Sequence, residues 1–232
     1  MLRKFGKYAV MIRLGYKYIH IFKKIYAHPF KTLKEKYIRL SHQRQNYSNR
    51  VLEFLNIEVR LIGSLPKQDK ILYAINHRSL LDIIVMEHIF AKHNKNGTWI
   101  AKQELFDAFY GDFFRYSGCI SVDLENKKGL LRFFKQIKMI LSKVDNLNIY
   151  IFPEGERYKG EGVKNFQSGA SKIAKANNLD VVPVYINDTL EKVFKAGPYK
   201  KTRIVEVHVG EIIHPDVLEE KYKTFISEVK NG

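Results

Sequence analysis

Asn76, His77, Ser79 and Asp82 crowd into the back half of one stretch, Ile71-Leu-Tyr-Ala-Ile-Asn-His-Arg-Ser-Leu-Leu-Asp82, and their types suit acid–base chemistry. The apolar front half reads as a short buried strand. The polar residues then fall just past the strand end, where ligands bind in open α/β sheets. On one regular helix His77 and Asp82 would point about 140° apart, at ~100° per residue, and could not meet. They meet if His77 sits on the strand-to-helix turn and Asp82 in the first helical turn. Ser79-x-x-Asp82 before an apolar run predicts that arrangement as a capping box, with Ser79 as N-cap and Asp82 reaching back. A histidine held by a carboxylate is a general base, because the acid fixes the tautomer and stabilises the imidazolium. A capping box alone needs no catalysis, so the stretch leaves both readings open.

Three further stretches stand at or within predicted strands. They are Lys102-Gln-Glu104-Leu105, Phe152-Pro-Glu-Gly-Glu-Arg157 and, within a strand, Val182-Pro-Val184. They add cations for an anionic substrate, Lys102 and Arg157, and a loop whose glycines permit close backbone approach. Either cation alone also fits a solvated surface charge. Other chemistries lack their patterns. There is no Gly-x-Ser-x-Gly elbow and no phosphate-binding glycine loop. Glu87-His88 completes no zinc motif, and His88 and His93 lack ligand spacing, so no metal site is expected.

The elements that must position these residues follow from hydrophobic period. Strands are expected at 57–62, 71–75, 98–101, 118–122, 147–152, 181–186 and 203–209. Helices are expected at 80–91, 127–144, 166–177 and 215–229, with one or two short ones over 102–114. Alternating strands and helices give an α/β fold with a mostly parallel central sheet covered by helices, over residues 57–232. Residues 1–56 precede it as two helical patterns, 4–27 and 31–56, separated at His28-Pro29.

The 232 residues carry a net charge of +16, and residues 1–60 hold 14 Lys and Arg against three acids, +11 of that total. Such asymmetry points to an anionic partner, nucleic acid or a membrane surface. In 4–27 the basic residues interleave with Phe5, Tyr8, Ile12, Tyr16 and Ile19 at helical spacing, which suits a helix lying in a bilayer interface. The alternative is an amphipathic helix packed on its own domain. No run of 18 apolar residues predicts a spanning helix, and no cleavable signal is read at the N-terminus. Cys119 is the single cysteine, lies in an apolar run and reads as core.

Taken together, these blocks resemble the glycerolipid acyltransferases, and among them the bacterial 1-acylglycerol-3-phosphate (lysophosphatidic acid) acyltransferases. Asn76-His77-x-x-x-x-Asp82 matches the family's hallmark. Lys102-x-Glu104-Leu105 through Gly111 to Gly118-x-Ile120-x-Val122-Asp123 matches its second block. Phe152-Pro-Glu154-Gly155-x-Arg157, followed by Phe166-x-x-Gly169-Ala170, matches its third, and Val182-Pro183-Val184 is like its fourth. The resemblance spans about residues 60–190. The chain departs from the pattern at Glu156, Tyr158, Ala108 and Leu124, where the family usually has Thr, Ser, a nearby Pro and Arg.

The resemblance implies a two-helix N-terminal membrane-associating motif on an α/β acyltransferase domain. It implies acyl transfer to a lysolipid hydroxyl, with His77 and Asp82 catalytic and Arg157, Lys102, Glu154, Gly155, Asn76 and Ser79 binding substrate. No cofactor is expected; acyl-CoA or an acyl carrier protein thioester is the co-substrate. The expected partners are an anionic membrane surface, a lysolipid acceptor and the thioester donor, at the cytoplasmic face of the membrane without a spanning helix. Another lysolipid, such as a lyso-ornithine lipid, is the alternative acceptor. A basic nucleic-acid-binding protein is the alternative of another class; with no nucleic-acid motif in the chain, no nucleic-acid partner is expected.

Overall fold

Five consecutive buried residues, Ile71–Ile75, form strand β2, the centre of the sheet. Its odd residues face one apolar cluster and its even residues another, because side chains alternate along a strand. The computed structural model describes residues 2–123, 126–160 and 162–231, with side chains from residue 6 onward. Phe5 and Leu124, named above, therefore have side chains outside the described residues.

The chain runs α1 (Leu2–Tyr26), α2 (Leu33–Leu55), β1 (Ile57–Ile62), β2, α3 (Leu81–Lys92), β3 (Asn96–Lys102), α4 (Gln103–Asp107), α5 (Gly111–Tyr116) and β4 (Ile120–Val122). It continues through α6 (Lys127–Lys143), β5 (Leu147–Ile151), α7 (Gly169–Asn177), β6 (Asp180–Ile186), α8 (Leu190–Ala196), β7 (Arg203–Val209), a 3-10 turn at Pro215–Val217 and α9 (Leu218–Asn231). The strands lie in the order β1-β7-β6-β2-β5-β3-β4. All pairs are parallel except β6 with β7. The expected mostly parallel α/β sheet is therefore present. The predicted helix at 166–177 starts only at Gly169, and the predicted strand at 118–122 is trimmed to Ile120–Val122.

The topology places the crevice. The connection leaving β2 passes through α3 to β3 on one side. The connection leaving β5 passes through α7 to β6 on the other. α3 joins the cluster on one sheet face, and α7 the cluster on the opposite face. The adjacent strands β2 and β5 thus part in opposite directions, which opens a crevice at their C-terminal ends.

α2 begins with a capping box, Thr32 Oγ1 accepting from Glu35 N–H while the Glu35 carboxylate accepts from Thr32 N–H. Its C-terminal apolar residues Val51, Leu52 and Leu55 share a cluster with β1, β2 and α3. Its polar middle is not a solvated face: Ser41, Arg44, Gln45 and Ser48 are buried. Arg44 Nε lies 2.6 Å from Glu87 Oε1 on α3, Nη1 donates to Ser117 O at 2.6 Å, and Nη2 donates to Gly97 O.

α1 presents two faces. Tyr18 and Phe22 are buried with Leu40 of α2 and pack on Tyr47 and Phe113. Tyr8, Ile12 and Tyr16 are 50%, 71% and 68% exposed. Lys7, grouped by sequence with the interfacial cations, is buried instead. Its Nζ donates to Phe194 O (2.8 Å), Lys195 O (3.1 Å) and Gly197 O (3.1 Å). These carbonyls end α8, where a helix leaves acceptors unsatisfied and carries partial negative charge. No helix among the described residues is long and apolar enough to cross a membrane.

Arg44→Met should be strongly destabilising. It leaves Glu87, 0% exposed, without its ion partner, a change that typically costs about 3–5 kcal/mol. The check is the urea midpoint, with Arg44→Met/Glu87→Leu expected to recover part of the loss. A single-variant midpoint equal to wild type would contradict this.

Candidate active site

The site is built where β2 ends. Asn76, 2% exposed, locks the strand end to β6: its Nδ2 donates to Ile186 O at 3.0 Å and its Oδ1 accepts from Ile186 N–H at 2.8 Å. His77 follows on the turn. Its Nδ1 lies 2.9 Å from Asp82 Oδ2, with side chains 13% and 2% exposed. The two residues thus meet through the turn, as their spacing predicts.

The same Asp82 oxygen accepts from Arg78 N–H at 2.7 Å and Ser79 N–H at 2.8 Å. A carboxylate oxygen in that position only accepts, so His77 Nδ1 carries hydrogen, and in the neutral ring Nε2 carries the lone pair. Ser79 differs in detail from the expected cap. Regular helix starts at Leu81, although Leu80 already has helical angles, φ −64° and ψ −20°. Ser79 N–H donates to Asp82 as expected, but Ser79 Oγ accepts from Leu81 N–H (3.1 Å) rather than from Asp82 N–H. Ser79 therefore shapes the turn, and at 6% exposure it is not presented to solvent.

The loop after β5 grips His77 from the other side. Glu154, 1% exposed, accepts His77 N–H on Oε1 at 2.7 Å and Lys164 N–H on Oε2 at 2.8 Å. Tyr158 N–H donates to His77 O at 2.8 Å. Both backbone groups of His77 are thus held by one loop. Burial raises the Glu154 carboxyl above its ordinary range, against the lowering effect of the two amides. Gly155 makes the tight turn at φ +71°, its N–H returning to Phe152 O at 3.0 Å.

The His77 ring stacks on Phe152, centroids 3.7 Å apart and 11° from parallel. Phe152 stacks on Trp99, centroids 5.0 Å apart. Trp99 Nε1–H donates to Glu87 Oε1 at 2.9 Å, the oxygen that also meets Arg44. This support was not read from the sequence.

Arg157 is exposed at the rim of the crevice loop, and Lys102 is partly exposed at the end of β3. Glu156, the departure from the family pattern, pairs with Lys164. Lys164 foremost, and then Lys102, hold the Glu156 carboxyl below its ordinary range, so its charge is balanced locally. Arg78 is a further site residue that sequence reading passed over as a spacer. Its Nη2 donates to Gly162 O at 2.8 Å, its Nε is buried with no hydrogen-bond partner among the described residues, and its guanidinium lies 5.9 Å from the Tyr185 ring centre. A cation directly after His77 was the signal available.

Chemically, the arrangement presents an oriented base, Nε2 of His77, at the mouth of a switch-point crevice with cations nearby. The amides of His77, Arg78, Ser79, Gly155 and Tyr158 all have internal acceptors, so an oxyanion would need other donors. Among the described residues no three His, Cys, Asp or Glu side chains converge to hold a metal.

Glu154→Gln is expected to lower stability by about 1–3 kcal/mol, because the new amide would face a backbone N–H and leave a buried donor unpaired. Chemical denaturation checks it; an unchanged midpoint would contradict the clamp.

The family model described as Acyltransferase matches residues 56–187. A relative from Helicobacter pylori, named 1-acyl-sn-glycerol-3-phosphate acyltransferase, is 39% identical over 155 residues, covering 64% of this chain and 62% of its own length. One of the same name from Escherichia coli is 24% identical over 139 residues, covering 60% and 56%. The matched region thus spans about three-fifths of these relatives. The crystal structure of the 1-acyl-sn-glycerophosphate acyltransferase PlsC from Thermotoga maritima has the same fold, with a TM-score of 0.61 at 20% identity over 98% of this chain and 95% of that one. A family match across more than half of the sequence, laid over the strands and loops that hold His77 and Asp82, makes this chain a member of the acyltransferase family.

Proposed function

We propose that the protein moves a fatty acyl group from an acyl thioester, on coenzyme A or acyl carrier protein, to the free hydroxyl of 1-acyl-sn-glycerol-3-phosphate, giving phosphatidic acid. The observation that carries this reading is the His77–Asp82 contact of 2.9 Å, in a chain that shares 39% identity with a relative of that name. A thioester is already a reactive electrophile, so a positioned base suffices and no enzyme nucleophile is needed.

The steps follow from the geometry. Nε2 of His77 takes the proton of the acceptor hydroxyl as its oxygen bonds to the thioester carbonyl carbon. Asp82 keeps the ring oriented and stabilises its positive charge. Collapse of the tetrahedral adduct breaks the C–S bond, and the imidazolium returns the proton to the departing thiolate. Such acid–base help is typically worth ~10²–10⁴-fold. Arg157, assisted by Lys102, holds the acceptor phosphate at the rim of the crevice, a guanidinium pairing with phosphate oxygens in bidentate fashion. Glu154, Gly155, Asn76 and Ser79 serve the site by shaping the backbone around His77, a role supported by their internal hydrogen bonds.

The acceptor resides in a bilayer, and α1 brings the site to it. Tyr8, Ile12 and Tyr16 form the outward apolar ridge, with Arg13, Lys17, Lys23 and Lys24 exposed beside it. Long basic stems of this kind reach phosphate while aromatic rings sit at the headgroup level. The protein then lies peripherally on the cytoplasmic face of the membrane.

The test is acyl transfer by purified protein with a panel of lysolipid acceptors. His77→Ala should lose at least about 10²-fold, and Asp82→Asn should be severely impaired because an amide cannot balance the imidazolium. Arg157→Ala should raise the apparent KM for the phosphate-bearing acceptor more than for the thioester. Full activity of a folded His77→Ala protein, or an unchanged acceptor KM in Arg157→Ala, would refute the corresponding role.

A further inference from the structure

The charge of the α/β part is concentrated on one helix. Residues 61–232 carry a net +5, whereas α6 alone carries six Lys and Arg and no acid, so the remainder of that part nets −1. Phe133, Ile137, Ile140 and Leu141 form the buried side of α6. Lys127, Lys128, Arg132, Lys135 and Lys138 are exposed on the opposite side, around Leu131 and Met139, which are 58% and 41% exposed. At ~100° per residue these positions share one face, and a 17-residue helix makes it about 25 Å long.

None of the α6 cations forms an ion pair with a described residue. Elsewhere on the surface Lys175 pairs with Asp216, Lys195 with Glu191 and Lys223 with Glu219. Asp123, just before the helix, accepts from Asn126 N–H on Oδ1 at 3.3 Å, and its carboxylate lies close to Gly129 in the first turn. Cations that find no ion-pair partner among the described residues, set around two exposed apolar side chains, suit an interface whose partner supplies the acids and buries the apolar knobs.

We infer that the outer face of α6 docks the acidic protein that carries the acyl thioester, an acyl carrier protein presenting an acidic helix to Lys128, Arg132 and Lys135 and apolar contacts to Leu131 and Met139. The inference rests on the acyl-transfer reading above and chooses the donor for it. Placement supports it. α6 packs on the sheet face opposite α1 and α3, so a bilayer engaged by the α1 ridge leaves α6 facing water. The helix also starts just past the C-terminal end of β4, the edge of the sheet at which β2 and β5 present the His77 turn. A long extended charged face with no enclosing walls matches a protein surface better than a single nucleotide.

The experiment compares wild type with Lys128→Glu/Arg132→Glu/Lys135→Glu, using palmitoyl-acyl carrier protein and palmitoyl-CoA as alternative donors. It also includes calorimetric titration of the carrier protein and flotation with anionic vesicles. The variant should raise the apparent KM for palmitoyl-acyl carrier protein at least about tenfold and weaken titrated binding comparably, since steering between opposite charges is lost. Its kinetics with palmitoyl-CoA should stay within about twofold, and flotation should be unchanged. Wild-type binding to the carrier protein should weaken with salt. Unchanged carrier-protein kinetics, equal losses with both donors, no wild-type use of the carrier-protein donor, or loss of vesicle binding would each overturn the docking face. Absence of product with both donors in wild type would instead refute acyl transfer itself, while the titration would still decide whether α6 binds the carrier protein.

Discussion

One buried carboxylate holds the site together. Glu154 accepts the amide of His77 on one oxygen and that of Lys164 on the other. It thereby ties the end of β2 to both ends of the loop that follows β5. Burying a charged carboxyl is costly, and its raised pKa records that cost. Two charge-assisted bonds offset it only while both amides stay in place. Tyr158 N–H closes the same loop onto His77 O. The position of the reactive ring is therefore set through its own backbone before any side chain acts on it.

The ring is then fixed on two further sides. Asp82 sets its edge, and Phe152 sets its face. Behind Phe152 stand Trp99, Glu87 and Arg44, so the stack ends on α2 of the N-terminal segment. A charge pair this deep adds little net stability compared with an apolar substitute, but breaking it from one side is expensive. Its effect is positional. The helix pair that carries the exposed aromatic ridge is joined by directional bonds to the aromatic layer beneath His77, and the ridge and the base keep a fixed relation.

The parts legible in the sequence were local. β2 and the turn after it span few residues, so period and capping preference were enough to bring His77 and Asp82 together. The strands were readable because a covered parallel strand is almost continuously apolar, as at Leu147–Ile151. What escaped depends on distant partners. Arg44 and Glu87 are 43 positions apart, and Lys7 lies 187 positions before Phe194, so neither pairing leaves a periodic trace. A lysine among aromatic residues reads as interfacial, yet the carbonyls at the end of α8 draw Lys7 inward. α8 itself, seven residues long, is too short for a helical period to declare itself. Glu154 was read as part of a binding loop, and only the fold reveals that its oxygens are both occupied by backbone.

In neutral His77 the Asp82 carboxylate holds the hydrogen on Nδ1 and leaves the lone pair on Nε2. Nitrogen NMR of protein labelled with 15N-histidine measures this directly, with His77 assigned by difference against His77→Asn. Neutral His77 is expected as the Nδ1–H tautomer, shifting toward the other tautomer in Asp82→Asn. A His77 ring carrying its hydrogen on Nε2 in the wild-type protein would contradict it.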